Sequence, residues 1–238
     1  MVTMFEPYVI IKFFHIVMAG IWLGTDMGVY TAAKKLRDPN LTIETRASMG
    51  NLSGILDMGP RSALVILLML GITLTFLGGW GFNASYGSSL GLLAFIAGLT
   101  WLAGIWHQYW VDHPNLGEER PHKHIQFQNI FRKLDLFLRV IITGILFIVA
   151  SWSLTGNGPI EAYWLSIKLI LFSAIILCGI GIRLYIPQAR EAIADIFKNG
   201  SSPEREDKLA LNRGISLFFV KSIWVLVAMI IWISVAKF

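Results

Sequence analysis

Apolar residues along this chain of 238 residues are gathered into six long runs, at 8–33, 62–80, 88–111, 136–154, 162–186 and 215–236. Each is about the 20 residues that an α-helix needs to cross a bilayer. Polar and charged residues collect between the runs, and they do so unequally. The connections at 34–61, 112–139 and 183–213 are long and carry most of the charge, as in "KKLRDPN", "DHPNLGEERPHKH" and "SSPEREDKLALNR". The other two, "GFNASYG" and "TGNGPIE", are short and hold almost none. This alternation predicts an all-α polytopic membrane protein, a single bundle of six transmembrane helices over 1–238. Lysine- and arginine-rich loops stay in the cytoplasm, so both termini are expected on the periplasmic side. Tyr8, Trp80, Trp152, Tyr163 and Trp164 lie near the outer ends, where aromatic belts form.

Within the charged connections, "LTIETRASMGNLSGILDM" reads as an amphipathic helix before Pro60. "IPQAREAIADIFKNG" reads as a helical extension stopped at Gly200, with "SSPERED" restarting the next helix. Neither reads as a second domain. The opening "MVTMFEPY" lacks the basic start and cleavage site of a secretory signal, so the first helix is expected to be retained.

Composition agrees with a membrane location. The chain is 55% hydrophobic and 15% charged, with a mean hydropathy of +0.63, against roughly 25% charged in soluble domains. The net charge of +5 fits cytoplasmic lysines and arginines, and no nucleic-acid partner is expected. The lone Cys178 excludes an intrachain disulfide and a cysteine-held cluster, which needs several thiolates.

Ionisable side chains at membrane depth are costly and tend to mark function. Helix 1 carries two, His15 and Asp26, on one face with Ala19 and Trp22, since residues at such spacing stack along a helix. A separate face carries Gly20, Gly24 and Gly28, a small-xxx-small pattern that lets another helix approach closely. At 1.5 Å per residue, His15 lies about 10 Å below the outer surface and Lys168, in the fifth run, about 9 Å. His107 lies roughly 28 Å down, too far to share a haem with His15. Each group also has a plainer reading: His15 as a buried histidine bonded to a neighbour, Lys168 as a lysine snorkelling to the interface. A second constellation is expected at the inner face, from Asp26, Asp57, Arg61, His107, Asp112, His113, Asp135, Arg139, Arg183 and Lys221. It reads as a salt-bridge layer, a proton path or a polar pocket for a quinone or porphyrin edge. His107, His113, His122 and His124 with Asp112 suggest a metal site, but helical ligand pairs sit at i and i+3 or i+4, and His107 and His113 do not.

"HIVMAGIW", His15 to Trp22, followed by small residues, resembles the first helix of HemJ-type membrane proteins, the bacterial protoporphyrinogen oxidases, and of their CopD-like relatives. "YWLSIKLILF", Tyr163 to Phe172, resembles a later helix of that family, with Trp164 four residues before Lys168. The resemblance implies a bacterial inner-membrane protein carrying haem b, with His15 as axial ligand, Trp22 beside it, and Lys168 near the haem or its substrate. The stretch after Trp22 lacks the family's Tyr-Leu-Pro-Arg-type continuation and the chain has more spans than the compact oxidases. What carries over is therefore haem binding rather than the oxidase reaction. The expected role is redox or electron transfer, with Lys168 and Asp26 as candidate catalytic groups and a quinone or redox protein as partner. Two alternatives stay open: a small-solute or proton transporter using Asp26 and the inner charges, and a homo-oligomer or subunit of a larger complex packed through Gly20, Gly24 and Gly28.

Overall fold

The computed structural model describes residues 6–80, 84–113 and 119–237, with the side chains of 84–88 and 211–214 left aside. The opening "MVTMF", the first three residues of the short "GFNASYG" connection, residues 114–118 and Phe238 lie outside the described residues. Seven helices follow one another: α1 (Pro7–Leu36), α2 (Ile43–Leu56), α3 (Met58–Leu77), α4 (Ala84–Asp112), α5 (His122–Leu154), α6 (Tyr163–Asn199) and α7 (Pro203–Ala236). Among the described residues six helical stretches are long and apolar enough to cross a membrane, α2 joining α3 in one of them.

The helix ends follow from local chemistry. Pro7 occupies the first turn of α1, where its missing N–H costs nothing, and Lys34 and Lys35 in the last turn complement the negative end of the helix dipole. Thr42 caps α2 by accepting the Thr45 N–H, and Ser202 caps α7 by accepting that of Arg205, with Pro203 behind it. Gly200, at φ 82°, ends α6 in a conformation that a side chain would strain. Pro187 inside α6 removes one backbone donor without stopping the helix.

The amphipathic segment before Pro60 is α2, and the extension to Gly200 and the restart at "SSPERED" are as the sequence suggests. One charged connection is otherwise more helical than the pattern implies: the stretch 122–139 is the first part of α5. Hydropathy marks where a helix enters the apolar layer, and α5 begins well before it.

The helices pack as two halves. In one, α1 packs on α2 and α3, and α3 on α4; in the other, α5 packs on α6, and α6 most extensively on α7. Side chains of α1, α3, α4, α6 and α7 meet in a core holding Trp22, Leu64, Trp101, Ile175, Ile176, Ile223 and Val227. The six long helices thus form a ring with two seams, α4 against α5 and α1 against α7. Both seams are fastened toward the end of the bundle that holds the charged connections, called inner below. Across the first, the Gly104 backbone meets the Phe131 ring so closely that a Cβ would collide with it. Across the second, Trp224 donates to Asp26 at 2.6 Å and its ring packs edge-on against Tyr30 at 5.3 Å.

Candidate functional site

Between the two halves, in the outer part of the bundle, lies a cavity of about 630 Å³ walled by all six long helices. That is within the roughly 300–1,000 Å³ typical of ligand pockets. Its wall is nearly all apolar, from residues such as Leu67, Ile72, Leu93, Leu146, Phe172 and Ile230. His15 of α1 and Lys168 of α6 are the ionisable side chains on it. The periodicity of α1 explains the first: His15, Ala19 and Trp22 share a face, and all three line the cavity. Trp22 is buried at the floor. Asp26, the fourth residue on that face, lies a turn beyond the cavity and is held by Trp224.

The His15 ring lies against α3, where a Cβ on Gly71 would sit 3.4 Å from its Cε1. Its Nδ1 is buried with no hydrogen-bond partner. A buried polar nitrogen without a partner costs about 1–3 kcal/mol, so an occupant that engages the ring would recover that loss. Lys168 has no acidic partner among the described residues; the charged group acting on it is another cation, Lys237. An ammonium facing an apolar cavity without a counter-ion is costly for the same physical reason.

The outer end of the cavity is roofed. Trp80, at the end of α3, and Trp164, at the start of α6, pack edge-to-face with centroids 5.1 Å apart. Tyr8 packs on Trp80 at 5.7 Å. Lys237 lies over both indoles, at 4.9 and 5.5 Å, in the cation–π geometry that holds an ammonium to an aromatic face. The backbone N–H of Ile160 donates to the Ser153 hydroxyl at 3.2 Å, folding the α5–α6 connection so that Ile160 joins the wall.

The expected inner constellation is built from pairs around one buried node, with Asp57 acting electrostatically on Asp26 and Arg61 on Arg139. Asp135 of α5 is wholly buried (0% exposed). It accepts from Trp101 of α4 at 2.6 Å and from Arg139 at 3.1 Å, and it pairs with Arg183 of α6. Asp57 pairs with Arg61, and Asp112 with Arg132. His107 is bonded to His124 at 2.9 Å and to Gln128, while His113 stacks on Tyr109 and bonds its carbonyl. His122 and Lys221 are exposed. Among the described residues no group of three or more His, Cys, Asp or Glu is placed to hold a metal ion.

The sequence did not show the contacts of Arg46, nor those of Trp224 and Trp101 above. Arg46 of α2 (1% exposed) donates both terminal nitrogens to Glu206 of α7, at 2.8 and 3.1 Å, and its Nε to the Leu36 carbonyl at 2.8 Å. The pair joins the two halves at the inner end. Gly20 and Gly24 behave differently from Gly28: a Cβ on Gly28 would press on Leu56 of α2 at 2.9 Å, whereas one on Gly20 or Gly24 meets nothing within 4 Å. The glycine face is thus half used inside the chain and half open.

Comparison with protein families, with characterised proteins and with solved structures finds no match for this chain.

Proposed function

We propose that this chain is a membrane b-type haem protein with a redox or electron-transfer role, built around His15 in the outer half of an inner membrane. The single observation that supports it most is the shared cavity of His15 and Lys168. Two ionisable groups from the first and fifth long runs face one apolar space. The wall suits such a group. His15 has an unpartnered ring nitrogen, histidine is a standard haem ligand, and the surrounding side chains are the apolar kind that shield an iron from water. Lys168 supplies the cation that a haem carboxylate would pair with.

When bound, haem supplies one-electron chemistry at its iron. The protein holds and orients it through His15, walls it from water with Trp22 below and Trp80 and Trp164 above, and fixes the charge nearby through Lys168. Both termini face the outside on this reading, since the charged connections and the inner pairs lie at the opposite end.

Purified wild-type protein is expected to show a Soret band that His15→Ala abolishes while the helical circular dichroism is kept. Protein that stays colourless after haem supplementation would sink the proposal. The open Gly20 and Gly24 also favour a second copy or a larger complex seated on α1, the basis of one prediction below. Asp26 is absent from the cavity wall, so a transport role would have to run through the inner pairs; substrate flux by haem-free protein in liposomes would favour it.

A further inference from the structure

The cavity is closed along the membrane normal and open to its side. Above it stand Trp80, Trp164 and Lys237, and below it the packed core around Trp22. The two seams of the ring differ in the wall they leave exposed: along α1 and α7 the exposed wall residue is Ile231, at 42%. Along α4 and α5 the close contacts run from Trp101–Asp135 inward, through the Gly104 backbone against Phe131 and His107–His124, to Asp112–Arg132. Outward of Trp101 the same two helices contribute Leu93 and Ala97, and Ile145, to the cavity wall. These residues are also strongly exposed, Leu93 by 63% and Ile145 by 55%, whereas wall residues of the same cavity away from this seam, such as Leu67 and Leu165, are buried. A side chain that lines an internal cavity and is also largely exposed is the rim of an opening. Gly144, beside Ile145, has nothing within 4 Å of its Cβ position. Everything on this rim is apolar, so the medium it opens to is the hydrocarbon of the bilayer.

Polar chemistry on the wall limits what can come in. A lipid-dissolved neutral molecule would leave the Lys168 ammonium unpaired in an apolar space, which is expensive. A carboxylate neutralises it with a charge-assisted hydrogen bond. We propose that the cavity is filled sideways from the bilayer, through the outer part of the α4–α5 seam, by an amphiphile with an apolar body and a carboxylate that Lys168 binds. This rests on reading the His15–Lys168 cavity as a ligand site. Haem belongs to the same chemical class, yet the route and the carboxylate contact do not depend on iron.

The test uses purified full-length protein in nanodiscs and a fluorescent polyene fatty acid, parinarate, as the probe. Wild type should bind it and should bind its methyl ester at least about thirtyfold more weakly, the loss expected when one partner of a desolvated charge pair is removed. Lys168→Met should weaken parinarate to a similar degree, and Lys168→Arg should restore most of the binding. Ala97→Trp, which plugs the rim, should slow binding about tenfold while keeping the final signal. Ile231→Trp on α7, which plugs the other exposed stretch of wall, should slow it less than Ala97→Trp does. Equal binding of acid and ester would overturn the carboxylate assignment, and slowing by Ile231→Trp in place of Ala97→Trp would overturn the route. Haem separates the two readings: wild-type protein that stays colourless after haem supplementation yet prefers parinarate to its ester would sink the haem reading and keep this one.

Discussion

The inner and outer parts of this bundle solve the same problem, polar groups among apolar helices, in opposite ways. At the inner end every polar side chain named above as crossing a seam finds a partner: Asp135 with Trp101, Arg139 and Arg183, Asp26 with Trp224, and Arg46 with Glu206. In the outer part His15 Nδ1 and Lys168 face an apolar cavity with neither a hydrogen bond nor a counter-ion among the described residues. Polar contacts inside a bilayer are individually modest, about 0.6–2 kcal/mol each, but they also set which helix faces which. The inner groups are therefore spent on holding the halves together. The outer ones are left unsatisfied by the fold, and unsatisfied groups aimed at a cavity are what a ligand can exploit.

The hardest way to break this contrast is at Asp135. Asp135→Ala leaves Arg139 and Arg183 facing each other without their shared carboxylate and takes the acceptor from Trp101. Removing one member of a buried charge network costs about 3–5 kcal/mol. A large fall in the unfolding midpoint in micelles is expected, and a shift no larger than that of an exposed substitution such as Lys221→Ala would show that the node is not a clamp. The outer groups should respond with the opposite sign. In ligand-free protein His15→Leu removes an unpartnered buried nitrogen, whose burden is about 1–3 kcal/mol, and should raise the midpoint slightly or leave it unchanged. A fall like that of Asp135→Ala would mean that His15 is structural.

Much of this division could be read from the chain, and the failures have physical causes. Depth along a helix is linear in residue number, so His15 and Lys168 could be put in one layer, and Asp26 and His107 in another, from spacing alone. Helix–helix distance is not written in any local pattern. The inner constellation could therefore be expected as one layer, but not its pairings, such as Asp135 with Trp101 and Arg183 or Asp26 with Trp224. The opening beside Leu93 and Ile145 left no trace in hydropathy, because a lipid-facing leucine and a cavity-facing one are the same residue type. Arg46 was hidden by distance along the chain: its partner Glu206 lies 160 residues away, and the clue was only an arginine on the amphipathic α2. The start of α5 was missed because this helix begins at His122, well before its apolar stretch.

The glycine face of α1 tests the comparison most gently, since it concerns what lies outside the chain. Gly28 is already used against Leu56, and Gly20 and Gly24 stand open beside the exposed Phe13, Ile16 and Val17. Within one protomer neither glycine is needed for space. Gly20→Leu and Gly24→Leu should therefore leave the unfolding midpoint within about 1 kcal/mol of wild type, with the better helix propensity of leucine acting in their favour. If a second helix docks there, the same leucines hold its backbone away, as small-residue interfaces require close approach. Cross-linking in native membranes would then lose its higher bands in both variants while the protomer stays folded. Unchanged bands would assign this face of α1 to lipid and leave Gly28 as the one glycine of the three that packing demands.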